Sequence, residues 1–121
     1  MTTPITAYSD FVASRTKELG SLKMNLLHAA VGISGEAGEL LDVCKKMWVY
    51  EQSIGTLNKE GKSHHKNLIE ELGDVMFYVQ MMCNHIGIEL EEVVALNKEK
   101  LMKRYQQRYS DADAAARKDK E

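Results

Sequence analysis

The sequence predicts an all-α fold, organised as a four-helix bundle that assembles into an oligomer. Hydrophobic residues make up 44% of the 121 residues, which is enough for one core without disulfides or metal staples. The only proline, Pro4, lies near the N-terminus, so no helix breaker interrupts the rest of the chain. A bundle this small leaves much of its apolar surface uncovered, which favours a homodimer or homotetramer. We expect one helical domain over residues 1–109, and a charged tail over 110–121 that frays.

Four helices are expected, with boundaries good to a few residues. Gly20 and Gly87 are suited to end the first and third helices as C-terminal caps. Acidic residues such as Glu89 suit the positive end of the fourth helix dipole. The predicted helices span residues 8–19, 23–50, 66–86 and 89–108. The polar, glycine-containing linker at 51–65 is expected to be a mobile connection or a lid.

Charge and composition argue against several classes of protein. Sixteen basic residues against eighteen acidic ones give a net charge of −2, so a nucleic-acid partner is not expected. The first residues carry neither a basic segment nor an apolar one, and no stretch is apolar enough to predict a membrane span. We therefore expect a cytoplasmic protein without a membrane partner. Cys44 and Cys83 are too few for a disulfide framework, and we expect both to stay reduced in the core.

Carboxylates occupy positions on two helices where apolar residues are expected. A helical wheel places Glu36 and Glu39 within the apolar stripe of the second predicted helix. Glu71 and Asp74 take the matching positions on the third. Antiparallel packing of these helices would gather all four carboxylates in one small volume.

Four unpaired negative charges in that volume would repel one another and lose hydration, so a cation is expected among them. An all-oxygen ligand set favours Mg²⁺, with Mn²⁺ as a substitute. The alternative is that one or two of these acids lie at the edge of the stripe and reach solvent. A di-iron bundle is disfavoured, because that site uses Glu-x-x-His and the sequence has none.

The fourth predicted helix carries an amide and cations close to its apolar face, namely Asn97, Lys100 and Arg104. Beside a carboxylate and metal cluster, these groups would suit a polyanionic ligand such as a phosphate chain. The alternative is that the long basic side chains extend around the edge of the core to solvent.

Three ordered motifs resemble the MazG-like, all-α nucleoside triphosphate pyrophosphohydrolases. They are GEAGEL at 35–40, EELGDV at 70–75 and NKEKLMKR at 97–104, within a match that covers about residues 26–105. The resemblance implies an enzyme that hydrolyses an NTP or dNTP to the monophosphate and pyrophosphate, in nucleotide pool control or house-cleaning. It also implies a helical bundle that assembles as a dimer or a dimer of dimers.

The resemblance assigns roles to single residues. The Mg²⁺ ligands would be Glu36, Glu39, Glu71 and Asp74. Glu70 would support these ligands without contacting the ion itself. Asn97, Lys100 and Arg104 would contact phosphates. Glu36 or Glu39 would accept a proton from the attacking water, and the sequence does not choose between them.

Candidates for contact with the nucleotide base are His28, Trp48 and Tyr78. Each has an ordinary alternative, because His28 could be a hydrogen-bonded structural residue and the two aromatic residues could pack in a core or an interface. The rival functions are a noncatalytic helical module with a structural cation site, which binds a nucleotide or a protein partner, and a regulator that binds a nucleotide without cleaving it.

Overall fold

The computed structural model describes residues 4–105 and 110–117. Five helices are present, and these described residues contain no strand beyond an isolated bridge between Leu57 and Ser63. The helices are α1 (Pro4–Ser14), α2 (Leu22–Val49), α3 (His64–Ile86), α4 (Leu90–Arg104) and α5 (Asp111–Ala116). The predicted all-α fold is confirmed, and each of the four predicted helices is present. None of the described helices is long and apolar enough to cross a membrane.

The chain divides into two compact units, Met1–Gly87 and Ile88–Glu121. In the first unit α2 packs along α3, and α1 packs on α3. In the second unit α4 contacts α5. The expected division into a domain of residues 1–109 and a tail of 110–121 stays a prediction.

The first helix differs from its prediction at both ends. It begins at Pro4, and proline suits the first position of a helix because its missing N–H has no partner there. It ends at Ser14, where the side chains of Ser14 and Thr16 donate hydrogen bonds back to the carbonyls of Phe11 and Val12. Gly20 has a φ of +92° but lies well beyond this end, so its assignment as the C-terminal cap was wrong.

Serine side chains fix the starts of the two long helices. Ser21 Oγ accepts a hydrogen bond from the Met24 N–H at 3.2 Å, and Ser63 Oγ accepts one from the Lys66 N–H at 3.1 Å. This geometry satisfies backbone donors that the first helical turn leaves without partners. At the other end of α3, Gly87 is the C-terminal cap as predicted, with a φ of 73° that favours glycine.

The linker between α2 and α3 has a defined backbone. Leu57 and Ser63 pair across a turn, in which the Asn58 N–H donates to the Lys62 carbonyl at 2.8 Å. The Asn58 side chain accepts from the backbone N–H groups of Glu60 and Lys62, each at 2.9 Å. Residues 57–63, called the linker hairpin below, are therefore a hydrogen-bonded turn; whether it moves as a lid stays a prediction.

The core of the first unit is small. Val12, Ala29 and Met81 form its fully enclosed centre, one residue from each of the three helices. Half-buried aromatic residues from α1 and α3 pack around it, including Tyr8 and Tyr78. The structure thus leaves many large apolar side chains exposed within a single chain. Cys83 is buried as expected, whereas Cys44 is exposed on α2, so its expected place in the core was wrong.

One helical glycine is required by the packing of α2 on α3. A Cβ atom built on Gly32 would overlap the ring of Tyr78, whereas Gly35 and Gly38 face open space. Close approach of the two helices therefore explains Gly32 alone of these three glycines. It sets the distance between α2 and α3 one turn away from Glu36.

The C-terminal residues contain a helix that the sequence analysis missed. Ser110 caps α5, because its Oγ accepts a hydrogen bond from the Asp113 N–H at 3.1 Å. The aspartates that follow suit the N-terminal end of a helix. The helix has only six residues, and isolated helices of this length are marginally stable in water. Fraying of the tail therefore stays a prediction. Predicted helical residues 106–108 and tail residues 118–121 lie outside the described part of the chain.

We predict that Gly32→Ala destabilises the protein by about 1–3 kcal/mol, because the added methyl group forces Tyr78 to move. The matched control is Gly35→Ala, which adds a methyl group to the same helix in open space and should raise stability by up to about 1 kcal/mol. Urea unfolding of the two variants measures the difference. Equal effects of both substitutions would contradict the packing role of Gly32.

Candidate metal centre

Three carboxylates from α2 and α3 come together in the first unit. One oxygen each of Glu36, Glu71 and Asp74 lies within 4.8 Å of the others. Glu36 and Glu71 are half-buried, while Asp74 is exposed. We call these three residues the carboxylate cluster.

The direction of the helices explains why these residues meet. Gly32 lies against Tyr78, and one turn further along α2 Glu36 lies near Asp74 and Glu71, which come earlier on α3. Residue numbers thus rise on one helix as they fall on the other, so α2 and α3 are antiparallel. This is the arrangement expected from the matching carboxylate patterns.

The surroundings of Glu71 disfavour the ionised form of its carboxyl group. Burial raises the pKa of the Glu71 carboxyl above its usual value, and neighbouring negative charges raise it further. Those charges belong, in decreasing order, to Asp74, Glu36, Glu39 and Glu70. A cation among these groups would offset both effects.

Glu39 takes a different position from the other predicted ligands. Its side chain is exposed, and it is not one of the three residues whose oxygens converge. Its charge nevertheless acts on Glu71, which places it at the edge of the cluster. Its role as a ligand stays a prediction.

The donor set fits a hard divalent cation. Oxygen ligands around Mg²⁺ lie about 3 to 4 Å apart when each is about 2.1 Å from the ion. The three cluster oxygens, which lie within 4.8 Å of one another, are close to this spacing. Half-exposure leaves room for water and for oxygen atoms of a ligand. The arrangement can therefore hold an ion and present it to a substrate.

Glu70 faces the linker hairpin. Its Oε2 accepts a hydrogen bond from Lys62 Nζ at 2.6 Å, in an ion pair that is about half exposed. Glu70 thus ties the hairpin to α3 beside Glu71. Lys62 was not identified from the sequence, because a lysine in a polar loop has no periodic pattern that marks it.

A second residue that the sequence analysis missed is Tyr8 on α1. Burial raises the pKa of the Tyr8 hydroxyl, and the charge of Asp74 raises it further, so this hydroxyl lies near the cluster. Tyr8 also packs against the core beside Tyr78. In the sequence, an aromatic residue on the inner face of α1 is indistinguishable from an ordinary core residue. The packing of α1 on α3 brings Tyr8 to the site.

The predicted base contacts separate into two groups. His28 and Tyr78 meet edge to face, with ring centroids 6.1 Å apart, and Tyr78 lies one turn from Asp74 on α3. Trp48 is 82% exposed and lies about 18 Å along α2 from Glu36. The structure thus brings His28 and Tyr78, but not Trp48, to the end of the site near Gly32.

The predicted phosphate contacts all lie on α4, in the second unit. Asn97 lines an open cavity of about 350 Å³ with apolar neighbours that include Leu101 and Tyr105. The guanidinium of Arg104 lies over the ring of Tyr105, 5.8 Å from its centroid. Lys100 is exposed on the same helix. Their roles stay predictions.

Comparison with known proteins identifies the class to which this fold and site belong. The model of the MazG nucleotide pyrophosphohydrolase domain matches residues 25–109. The match begins after α1, at Asn25 within α2, and includes the rest of α2 together with α3 and α4. The chain therefore belongs to the MazG nucleotide pyrophosphohydrolase domain family.

Two curated proteins are similar over part of their length. The chain is 34% identical over 79 residues to the "Gene 37 protein" of Mycobacterium phage L5, a match that covers 65% of each chain. It is 30% identical over 71 residues to the "Uncharacterized protein YvdC" of Bacillus subtilis (strain 168), covering 59% of this chain and 67% of the relative. The chain thus spans about two thirds of the length of these relatives. No solved structure matches significantly.

We predict that Glu71→Gln raises the melting temperature of the metal-free protein by a few degrees at neutral pH, because it removes one of the mutually repelling charges. The pKa of Glu71 is raised by folding, so the wild type should gain stability as the pH falls from neutral towards that raised value. Glu71→Gln should not show this increase in stability at lower pH, because it has no carboxyl group to protonate at this position. Thermal unfolding in EDTA across pH 5–7.5 measures both effects.

The control for this prediction is Glu60→Gln, which removes a negative charge from the linker hairpin outside the carboxylate cluster. It should leave the pH dependence as in the wild type. A loss of stability in Glu71→Gln without metal would show that the carboxylate makes a favourable contact and does not face net repulsion.

Proposed function

We propose that this protein is a Mg²⁺-dependent nucleotide pyrophosphohydrolase that converts an NTP or dNTP to the monophosphate and pyrophosphate. The observation that carries this proposal is the convergence of Glu36, Glu71 and Asp74 in a chain of the MazG domain family. The activity would serve nucleotide pool control or house-cleaning, in the cytoplasm.

The carboxylate cluster would hold the metal, with Glu39 adding a ligand or a charge from its edge. Mg²⁺, or Mn²⁺ as a substitute, would supply charge neutralisation on the phosphates and lower the pKa of a bound water. The raised pKa of Glu71 supports this assignment, since a bound cation would restore the ionised form that burial disfavours.

The chemical step needs a base for the attacking water. The water oxygen forms a bond to the α-phosphorus as the bond from that phosphorus to the bridging oxygen breaks, and pyrophosphate leaves with that electron pair. The proton passes to a carboxylate, for which we propose Glu36 or Glu39. Glu39 is exposed, which would give it access to the attacking water. Glu36 is a member of the carboxylate cluster, which would place it beside a water bound to the metal.

The remaining assignments concern the substrate. Asn97, Lys100 and Arg104 would contact phosphates, since an amide and two cations suit phosphate oxygens. His28 and Tyr78 would contact the base, and their edge-to-face pair near Gly32 supports this. Trp48 would contact the base only if a second copy of the chain brings a bound nucleotide to it.

We also propose that the protein is a homodimer or homotetramer. The enclosed core is small, while large apolar residues on α2 and α3 are more than half exposed within one chain. They include Leu41, Trp48, Ile69 and Leu72. Association of copies would remove this apolar surface from water.

Purified protein should release pyrophosphate, rather than orthophosphate, from at least one member of a panel of ribo- and deoxynucleoside triphosphates with Mg²⁺. EDTA should abolish the release. Glu36→Ala, Glu39→Ala, Glu71→Ala and Asp74→Ala should each reduce turnover at least about a hundredfold, because each removes a charge or a ligand at the metal. A coupled pyrophosphate assay measures the rates, and circular dichroism checks that the variants are folded.

The matched control is Asp42→Asn, which removes a carboxylate from the same helix, where it pairs with Lys46 at 3.1 Å on the surface. It should turn over like the wild type. Absence of pyrophosphate from every triphosphate, with folded protein and Mg²⁺, would favour the noncatalytic module instead. Strong Mg²⁺-dependent activity in Glu39→Ala would contradict the role given to Glu39.

Size-exclusion chromatography with light scattering should give a mass of at least two chains at micromolar concentration. A monomer that stays soluble at this concentration would contradict the proposed assembly, because its apolar residues would then be exposed to water without aggregation.

A further inference from the structure

The linker hairpin brings a positive charge to the edge of the carboxylate cluster. Lys62 Nζ lies 2.6 Å from Glu70 Oε2, and Glu70 precedes the cluster residue Glu71. The pKa of Lys62 is raised by the hydrogen bond from its ammonium to Glu70, and the charges of Glu60 and Glu71 also act on it. The ammonium is thus within the electrostatic field of the cluster.

The hairpin holds this lysine in a defined place. Two hydrogen bonds with Asn58 fix the Lys62 backbone. The Lys62 N–H donates to the Asn58 side-chain oxygen, and the Asn58 N–H donates to the Lys62 carbonyl. Gly61, with a φ of +77°, allows the turn immediately before it. The backbone of Lys62 is therefore ordered, while its side chain remains about one third exposed.

A triphosphate that approaches the carboxylate cluster meets a strongly acidic surface. The cluster, Glu39 and Glu70 repel its phosphates wherever a metal ion does not screen them. A lysine ammonium has three donors, and the ion pair with Glu70 uses one of them. The others can donate to phosphate oxygens while the hairpin stays tied to α3.

We propose that Lys62 is a substrate-binding residue, whose ammonium contacts the phosphate chain while Glu70 holds it in place. The linker hairpin is then a wall of the site. The contact with phosphate is argued from the position of Lys62, and only the choice of a triphosphate as the natural ligand rests on the proposed function. The competing explanation is that the ion pair is a structural tie between the hairpin and α3.

Binding of inorganic tripolyphosphate in the presence of Mg²⁺ tests this proposal without regard to the base. Titration calorimetry on the full chain should show about tenfold weaker binding for Lys62→Gln, as expected from loss of a charged hydrogen bond. Lys59→Gln removes the same charge from the same hairpin, away from the ion pair with Glu70. It should bind within about twofold of the wild type, since exposed charges further away are screened.

Glu70→Gln separates a substrate contact from a structural tie. It leaves the Lys62 ammonium, keeps an amide oxygen that can accept its hydrogen bond, and removes a repelling charge, so tripolyphosphate should bind at least as tightly as to the wild type. A structural tie predicts that both substitutions weaken binding alike. Three results would each overturn the proposal. They are equal weakening of binding by Glu70→Gln and Lys62→Gln, equal binding by Lys62→Gln and Lys59→Gln, and no binding by the wild type.

The same variants distinguish this proposal from the proposed enzymatic function. Pyrophosphate release by the wild type, with KM unchanged in Lys62→Gln, would retain the function and reject the role of Lys62. Tripolyphosphate binding that depends on Lys62, without turnover of any triphosphate, would support Lys62 and reject the function. With both correct, Lys62→Gln should raise KM more than it lowers kcat.

Discussion

The contact between Gly32 and the ring of Tyr78 sets the register on which the candidate site depends. It brings α2 and α3 to a close approach, and it does so one helical turn from Glu36 and one turn from Asp74. A slip of one turn between the helices, about 5.4 Å, would separate the three converging carboxylates. Packing at a glycine thus determines which charged groups meet.

The arrangement places like charges together in a protein with a small core. Burial and four neighbouring acids both disfavour the ionised form of Glu71, so the metal-free fold stores unfavourable electrostatic energy at this point. Stability and function are in tension here, as is usual where a site is organised for a charged ligand. A bound cation would relieve the repulsion and link metal binding to the stability of the helix pair.

Elements outside the helix pair also contribute to the site. The Tyr8 hydroxyl, on α1, lies close enough to Asp74 for the charge of that carboxylate to raise its pKa, and α1 precedes the part of the chain matched by the family model. Lys62 reaches Glu70 from the linker hairpin. The family motifs therefore supply the converging carboxylates, while α1 and the linker hairpin border them.

The helices and the acidic pattern could be predicted from the sequence, because both rest on periodicity along one chain. Helical spacing placed Glu36, Glu71 and Asp74 on facing surfaces, and their convergence follows once the helices are antiparallel. The early end of α1, the order in the linker and helix α5 were not predicted, since hydroxyl, asparagine and serine side chains decide them through local hydrogen bonds. Packing in three dimensions was needed to identify Gly32 as the close contact and to place Tyr8 and Lys62 beside the cluster. These depend on distances between residues far apart in sequence, which no periodic pattern encodes.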